Sequence, residues 1–175
     1  MRSRPVVTRV LTIAWVVWIL DSLSKSLAQR YLEGVPAKSL IGNLLKLTYI
    51  RNSGAAFSFV QDGSVILAAF AIFALFVLAY WTPRINSLPW ALVFGLLLGG
   101  TLGNLTDRTF RGAGGILNGE VIDWIQIPHW PIFNLADSAI VVAALLAMGL
   151  SFRNISPISR PTKNGNGDEK ADLDA

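Results

Sequence analysis

The residues best placed to do chemistry in this sequence are two aspartates, Asp123 and Asp137, on either side of a Pro128-His129-Trp130-Pro131 corner. Around the first, Val121, Asp123, Ile125 and Ile127 alternate with Ile122, Trp124 and Gln126, the pattern of a strand. The second falls in the first turn of the last apolar segment, with Asn134 at the position of a helix N-cap. The corner would reverse the chain and bring the two carboxyls together. Two carboxylates within hydrogen-bonding reach cannot both ionise easily, so they share one proton. The charged member can then activate a water while the protonated member polarises a carbonyl. A helix end favours charge on Asp137, whereas Ile122 and Trp124 flank and desolvate Asp123. Asp137 is therefore expected as the ionised member and Asp123 as the protonated one. Spacing alone leaves a second reading open, in which both acids are solvated or structural. Other chemistries lack their residues. The chain has no cysteine, hence no thiol catalysis, disulfide or thiolate-bound metal. Its single histidine, His129, excludes a multi-histidine metal site and reads as a loop residue.

The elements that must position these acids follow from composition. The 175 residues are 53% hydrophobic and 15% charged, with a mean hydropathy of +0.50. A soluble domain carries about a quarter charged residues, so this is expected to be an integral membrane protein. The net charge of +4 and pI near 9.8 come from scattered basic residues without runs. They read as flanks of membrane segments and not as a nucleic-acid surface. Crossing about 30 Å of hydrocarbon takes about 20 helical residues. Four spans are expected, at about 9–28, 64–81, 87–106 and 134–152, in one domain covering 1–155. The middle two are free of charge and joined by a tight interfacial hairpin with Pro83, Arg84 and Pro89, edged by Tyr80, Trp81 and Trp90.

The outer spans are short. Val10 to Leu20 makes only about 16 Å of helix, so the first span must continue to Ala28 and take Asp21 and Lys25 into the membrane. Those two are four apart, on one helical face, in position to pair. The basic start, apolar run and Ser26-Leu27-Ala28 also fit a cleavable signal peptide. Asp21 and Lys25 argue instead for a retained helix. The last span must begin near Asn134 and include Asp137.

Four spans place both termini on one side, and Arg2, Arg4 and Arg9 favour the cytoplasm for it. Outside the tail, the acids Asp21, Glu33, Asp62, Asp107, Glu120, Asp123 and Asp137 all fall at the opposite, extracytoplasmic face, where chemistry is expected. Two loops lie there, 29–63 and 107–133. In the first, Leu45, Leu47 and Tyr49 alternate with Lys46, Thr48 and Ile50 before an Asn52-Ser53-Gly54 turn. The fold class is thus an α-helical membrane protein, four transmembrane helices with a small β-structure on the extracytoplasmic face. The polar tail, 156–175, is expected to be disordered and cytoplasmic. Gly95, Gly99, Gly100 and Gly103 have the spacing of close helix packing. Trp15, Trp18, Phe70, Phe73 and Phe76 read as lipid-facing or packing residues. Arg108 either fixes a substrate carbonyl or dyad neighbour, or anchors the interface beside Asp107. Asn52 either serves a site with the small Gly54-Ala55-Ala56 or makes an ordinary turn.

Five blocks then stand in register with the four apolar segments: Asp21-Ser22-Leu23-Ser24-Lys25, Asn52-Ser53-Gly54-Ala55-Ala56-Phe57-Ser58, Gly99-Gly100-Thr101-Leu102-Gly103-Asn104-Leu105-Thr106-Asp107-Arg108, Val121-Ile122-Asp123-Trp124 and Phe133-Asn134-Leu135-Ala136-Asp137-Ser138. Together they resemble the bacterial lipoprotein signal peptidase, or signal peptidase II, family over roughly Leu20 to Ser151. One departure is visible, Trp124 where the family usually has Phe. The resemblance implies an aspartic endopeptidase of the bacterial plasma membrane. Such an enzyme removes signal peptides from diacylglyceryl-modified prolipoproteins, cutting before the lipidated cysteine. It implies Asp123 and Asp137 as the catalytic dyad, with Asn52, Gly54, Asn104, Arg108, Asn134 and Ala136 binding substrate or supporting the site. Asp21 and Lys25 match its structural pair. No metal or cofactor is implied. The implied partners are prolipoproteins and membrane lipids, not nucleic acid, with the chain acting as a monomer. Two other classes stand beside it on the residues alone. A small transporter using Asp21, Lys25 and Asp137 as a charged path is disfavoured by unequal outer loops and the lack of repeat halves. A non-catalytic membrane subunit would tolerate Asn at either aspartate.

Overall fold

The computed structural model describes residues 4–54, 63–112 and 116–158. Ala55, Ala56, Asp62 and the tail beyond 158, with the expectation of its disorder, lie outside the described residues. Four helices dominate: α1 (Arg4–Leu32), α2 (Gly63–Trp81), α3 (Leu88–Phe110) and α4 (Leu135–Phe152). Each is long and apolar enough to cross a membrane. Three strands, β1 (Lys38–Ile41), β2 (Leu45–Asn52) and β3 (Val121–Gln126), form an antiparallel sheet in the order β1-β2-β3. The chain is a four-span helical membrane protein with a small sheet at one end.

Three boundaries differ from those read off the sequence. α1 begins at Arg4 and not near 9, because Pro5 is tolerated in a first turn. It runs past Ala28 to Leu32, where Gly34 at φ +76° turns the chain out of the helix. α3 continues beyond Thr106 to Phe110, so Asp107 and Arg108 are helical residues and not the start of a loop. Their charges do not end the helix because Asp107 is neutralised by Lys25 and, one turn on, by Arg111. β1 had no clear signal, since all of Lys38–Ile41 is exposed and shows no burial alternation. Its hairpin to β2 turns through Gly42 at φ +48° and Asn43, with the Leu44 N–H donating to Ile41 O at 2.9 Å.

α3 is the central helix, with α1, α4 and α2 packed around it. Its glycines permit this, and they serve two neighbours. A Cβ on Gly99 would stand 2.7 Å from Ala14 O and 2.6 Å from Val17 Cβ of α1, and Gly95 meets Ile13 in the same way. Gly100 instead faces Ala136 O and Ile140 of α4, while Gly103 touches both the Asp21 carboxylate and Ala136. Val6, Val10, Ala14, Ile85, Ala91 and Leu98 fill the core between them. Trp15, Phe70, Phe73 and Phe76 point outward. Trp18 is half-buried and donates to Thr106 Oγ1 at 2.9 Å. At the other end of the bundle, Trp90 Nε1 donates to Ile155 O at 2.7 Å, joining the α2–α3 hairpin to the chain leaving α4. The sheet is seated on the end of α1, where Ile122, Leu47, Tyr49 and Trp124 cover Ala28 and Leu32.

Candidate active site

β3 and the first turn of α4 carry the two aspartates, and Asn134 joins them. As N-cap of α4, Asn134 accepts the Asp137 N–H on its Oδ1 at 2.9 Å, and its own N–H donates to Asp137 Oδ2 at 3.3 Å. This reciprocal capping arrangement fixes Asp137 against the helix end. The Asn134 Nδ2 then donates to Asp123 Oδ1 at 2.7 Å. One buried residue therefore donates to both carboxyls, to Asp123 from its side chain and to Asp137 from its backbone N–H. The chain reversal that makes this possible is the 127–133 corner, in which His129 adopts φ +61° and Phe133 pairs back onto Ile125.

Two further amides complete the frame. Asn52 ends β2, and its Oδ1 is occupied by the Gly54 N–H at 2.8 Å, so its Nδ2 is left to donate to Asp123 Oδ2 at 2.9 Å. Gly54 sits at φ +87°, a conformation that strains any residue with a side chain, and a Cβ there would stand 2.7 Å from Leu67 Cδ1. Asn104 on α3 accepts from Lys25 Nζ at 3.0 Å, which turns its Nδ2 to donate to Asp137 Oδ1 at 2.7 Å. In each amide a fixed donor takes the oxygen and leaves the nitrogen for a carboxyl.

Asp123 is only 2% exposed. Burial pushes its carboxyl up from 3.8 to about 6, the nearby Asp137 adds to the rise, and hydrogen bonds from Asn52 and Asn134 work against it. Arg108 lies close enough to feel both carboxyls. Its Nη1 donates to Ser64 Oγ at 3.0 Å, and Ser64 in turn donates to Gly119 O. It is not the partner of Asp107. Ser64, buried at the start of α2, had no signal in the sequence, because only the fold brings it beside Arg108.

Behind the dyad lies a buried ion cluster larger than the expected Asp21–Lys25 pair. Lys25 Nζ stands 2.7 Å from Asp21 Oδ2 and 2.9 Å from Asp107 Oδ2, all three groups being nearly inaccessible. Asp107 Oδ1 is held by Arg111 Nε at 2.7 Å. Asp21 Oδ1 accepts the Ala136 N–H at 2.9 Å, which ties α1 to the start of α4. Ala136 itself is fully buried against Gly103, so it docks α4 and leaves the dyad to its neighbours. The role of Asp107 was legible only in part: Asp107 and Arg111 have the spacing of a helical ion pair, but the bond to Lys25 crosses between helices.

Comparison with known proteins agrees with this architecture. The family model described as Signal peptidase (SPase) II matches residues 13–153. The chain is 43% identical over 156 residues to the lipoprotein signal peptidase of Streptomyces coelicolor, covering 89% of this chain and 76% of that one. With the enzyme of the same name from Mycobacterium leprae it shares 42% over 142 residues, 81% of this chain and 70% of the relative. Two solved structures, both titled as a bacterial membrane enzyme by the in meso method, are similar in fold. One, at 1.9 Å resolution, has a TM-score of 0.74 and 27% identity over 83% of this chain and 93% of that one. The other, at 2.3 Å, has a TM-score of 0.72 and 26% identity over 87% and 92%. With four membrane-length helices, a carboxyl pair framed by three amides and relatives of this kind, the chain belongs to the signal peptidase II family, the membrane aspartic peptidases that remove signal peptides from prolipoproteins.

Proposed function

We propose that Asp123 and Asp137 are the water-activating dyad, and that the enzyme cuts diacylglyceryl-modified prolipoproteins just before the lipidated cysteine. The observation that carries this reading is Asn134 donating to both carboxyls, from its side-chain Nδ2 to Asp123 and from its backbone N–H to Asp137. Asp123, with its carboxyl raised to about 6 by burial, is the proton-holding member. Asp137, at the positive end of α4, is the carboxylate. A water between them loses its proton to Asp137 and attacks the scissile carbonyl, whose oxygen takes the proton of Asp123. The tetrahedral diol then collapses as Asp137 gives its proton to the departing cysteine nitrogen and Asp123 takes one from a diol hydroxyl, which restores the pair for the next turnover. Arg108 uses one donor on Ser64, and its remaining donors hold a substrate carbonyl beside the dyad. Asn52, Asn104 and Asn134 orient the carboxyls, and the Gly54 turn holds the Asn52 amide in place through its N–H.

The membrane is the bacterial plasma membrane, with both termini in the cytoplasm and the sheet outside. The lipid anchor of the substrate then lies in the outer leaflet, level with the start of α4. The chain works as a monomer among membrane lipids. Purified protein given a lipid-modified prolipoprotein tests the reading. Asp123→Asn and Asp137→Asn should each lower cleavage by at least about a thousandfold while inserting normally. Near-normal turnover by either variant would remove the dyad assignment.

A further inference from the structure

One carboxylate of the buried cluster, Asp107, is needed neither to activate water nor to touch substrate. It is nonetheless bonded on both oxygens. Its Oδ2 accepts the backbone N–H of Ile122 at 3.2 Å and lies 2.9 Å from Lys25 Nζ. Its Oδ1 accepts from Arg111 Nε at 2.7 Å. Ile122 directly precedes Asp123 and is 1% exposed. Other bonds bring this segment to α3, since the Gly119 N–H donates to Arg108 O at 2.8 Å. That bond is made upstream of the strand, whereas Asp107 holds the residue adjacent to Asp123. Through Lys25 the same carboxylate reaches the other half of the dyad. Lys25 donates to Asn104 Oδ1 at 3.0 Å, and Asn104 donates to Asp137 Oδ1 at 2.7 Å.

We propose that Asp107 is a positioning residue for both catalytic carboxyls, holding β3 through Ile122 and holding Asp137 through Lys25 and Asn104. The proposal rests on the dyad reading above. Displacing a reacting group by about 1 Å can cost about a hundredfold in rate, so Asp107 acts on turnover more than on substrate binding. It also acts through charge. Asp123 and Asp137 face one another from β3 and α4. Lys25 faces them from α1 and Arg108 from α3, while among the described residues β2 and α2 bring the uncharged Asn52 and Ser64. Asp21 and Arg111 complete the cluster around Asp107. Removing the Asp107 charge leaves the cations in excess, which favours ionisation of the dyad at lower pH. Removing the Arg111 charge does the opposite.

The experiment measures kcat, KM and the pH–rate profile of purified full-length enzyme in detergent on a lipid-modified prolipopeptide. Active sites are counted by titration with a hydroxyethylene isostere of the substrate. Asp107→Asn should lower kcat per active site about 10- to 100-fold with KM within about twofold. Its alkaline limb should move down by about half a pH unit, and that of Arg111→Gln should move up. A merely structural role lowers the number of titratable sites and leaves both limbs in place. Wild-type kcat per site and an unmoved alkaline limb in Asp107→Asn overturn the proposal. Should Asp107→Asn not fold, the limb of Arg111→Gln decides alone, and an unmoved limb again overturns it. Asp123→Asn, run alongside, separates the two claims. Turnover by that variant defeats the dyad reading, whereas its inactivity beside wild-type behaviour of the other variants defeats only the role of Asp107.

Discussion

At the scale of single residues, the site is a problem of orienting amides. Asn52, Asn104 and Asn134 each present a nitrogen to a carboxyl because the Gly54 N–H, Lys25 and the Asp137 N–H have taken the oxygens. Asn134→Ala removes the bridge to Asp123 and the cap of α4 together. It should cost about 1 kcal/mol of stability as a lost N-cap and a much larger share of kcat, read from melting and initial rates on one preparation. The carboxyl of Asp123 adds a pH dependence whose sign is fixed. Its unfolded value is 3.8 and its folded value about 6. Below 3.8 both states hold the proton, and as pH rises toward 6 only the unfolded state ionises freely. Stability therefore falls across that window, by at most about 3 kcal/mol, and then levels off. Thermal unfolding in detergent from pH 4 to 8 should show this fall for wild type and lack it for Asp123→Asn. A constant difference between the two across that range would mean that burial does not control this proton.

At the scale of elements, α3 does most of the positioning. Its glycines admit α1 on one side and α4 on the other, and so bring Lys25 and Asp137 within reach of Asn104. Gly99→Ala should destabilise by about 1–3 kcal/mol, because its Cβ meets the Ala14 backbone oxygen as well as a side chain. Gly149→Ala on α4 is the control. Nothing lies within 4 Å of its Cβ, and the change should be neutral or stabilising by about half a kcal/mol. Equal losses from the two would show that backbone propensity and not packing sets the effect. Lys25→Met tests the seam between α1 and α3. It takes the cation from Asp21 and one of two cations from Asp107, and should cost about 3–5 kcal/mol. Adding Asp21→Asn should recover only part of the loss, since Asp107 still lacks one of its two cations. Full recovery in the double variant would reduce the cluster to a simple pair.

At the scale of the whole molecule, the sheet and the chain leaving α4 lie at opposite ends of four spans. The site is built where α1 and α3 end, where α4 begins, and where β3 crosses between them. The proposed orientation can be read by labelling, because the native chain has no cysteine. Ser39→Cys, on the exposed β1, should react with an impermeant maleimide added to intact cells. Ser156→Cys, exposed just beyond α4, should react only after the membrane is opened. The reverse pattern would invert the topology and place the dyad in the cytoplasm.

The sequence by itself determined the spans and the acids. A membrane helix must be apolar along its whole length, so charge gaps reveal it without knowledge of its neighbours, and Ser64–Trp81 was legible almost to the residue. The described acids outside the tail fell at one end for the same reason, and the Asn134 cap is a local pattern that precedes its helix. The ends of α1 and α3 were not legible, because charged residues there looked like loop. At the end of α3 they stay helical with Asp107 paired across to Lys25 and to Arg111 one turn on. β1 was missed because an exposed edge strand has no buried face to write a period into the sequence. The seating of Ser64 beside Arg108, the split of the α3 glycines between two partners, and the bond from Asp107 to the strand before Asp123 belong to the tertiary structure alone. Each joins residues far apart in the chain, and which ones meet depends on how closely the glycines let the helices approach.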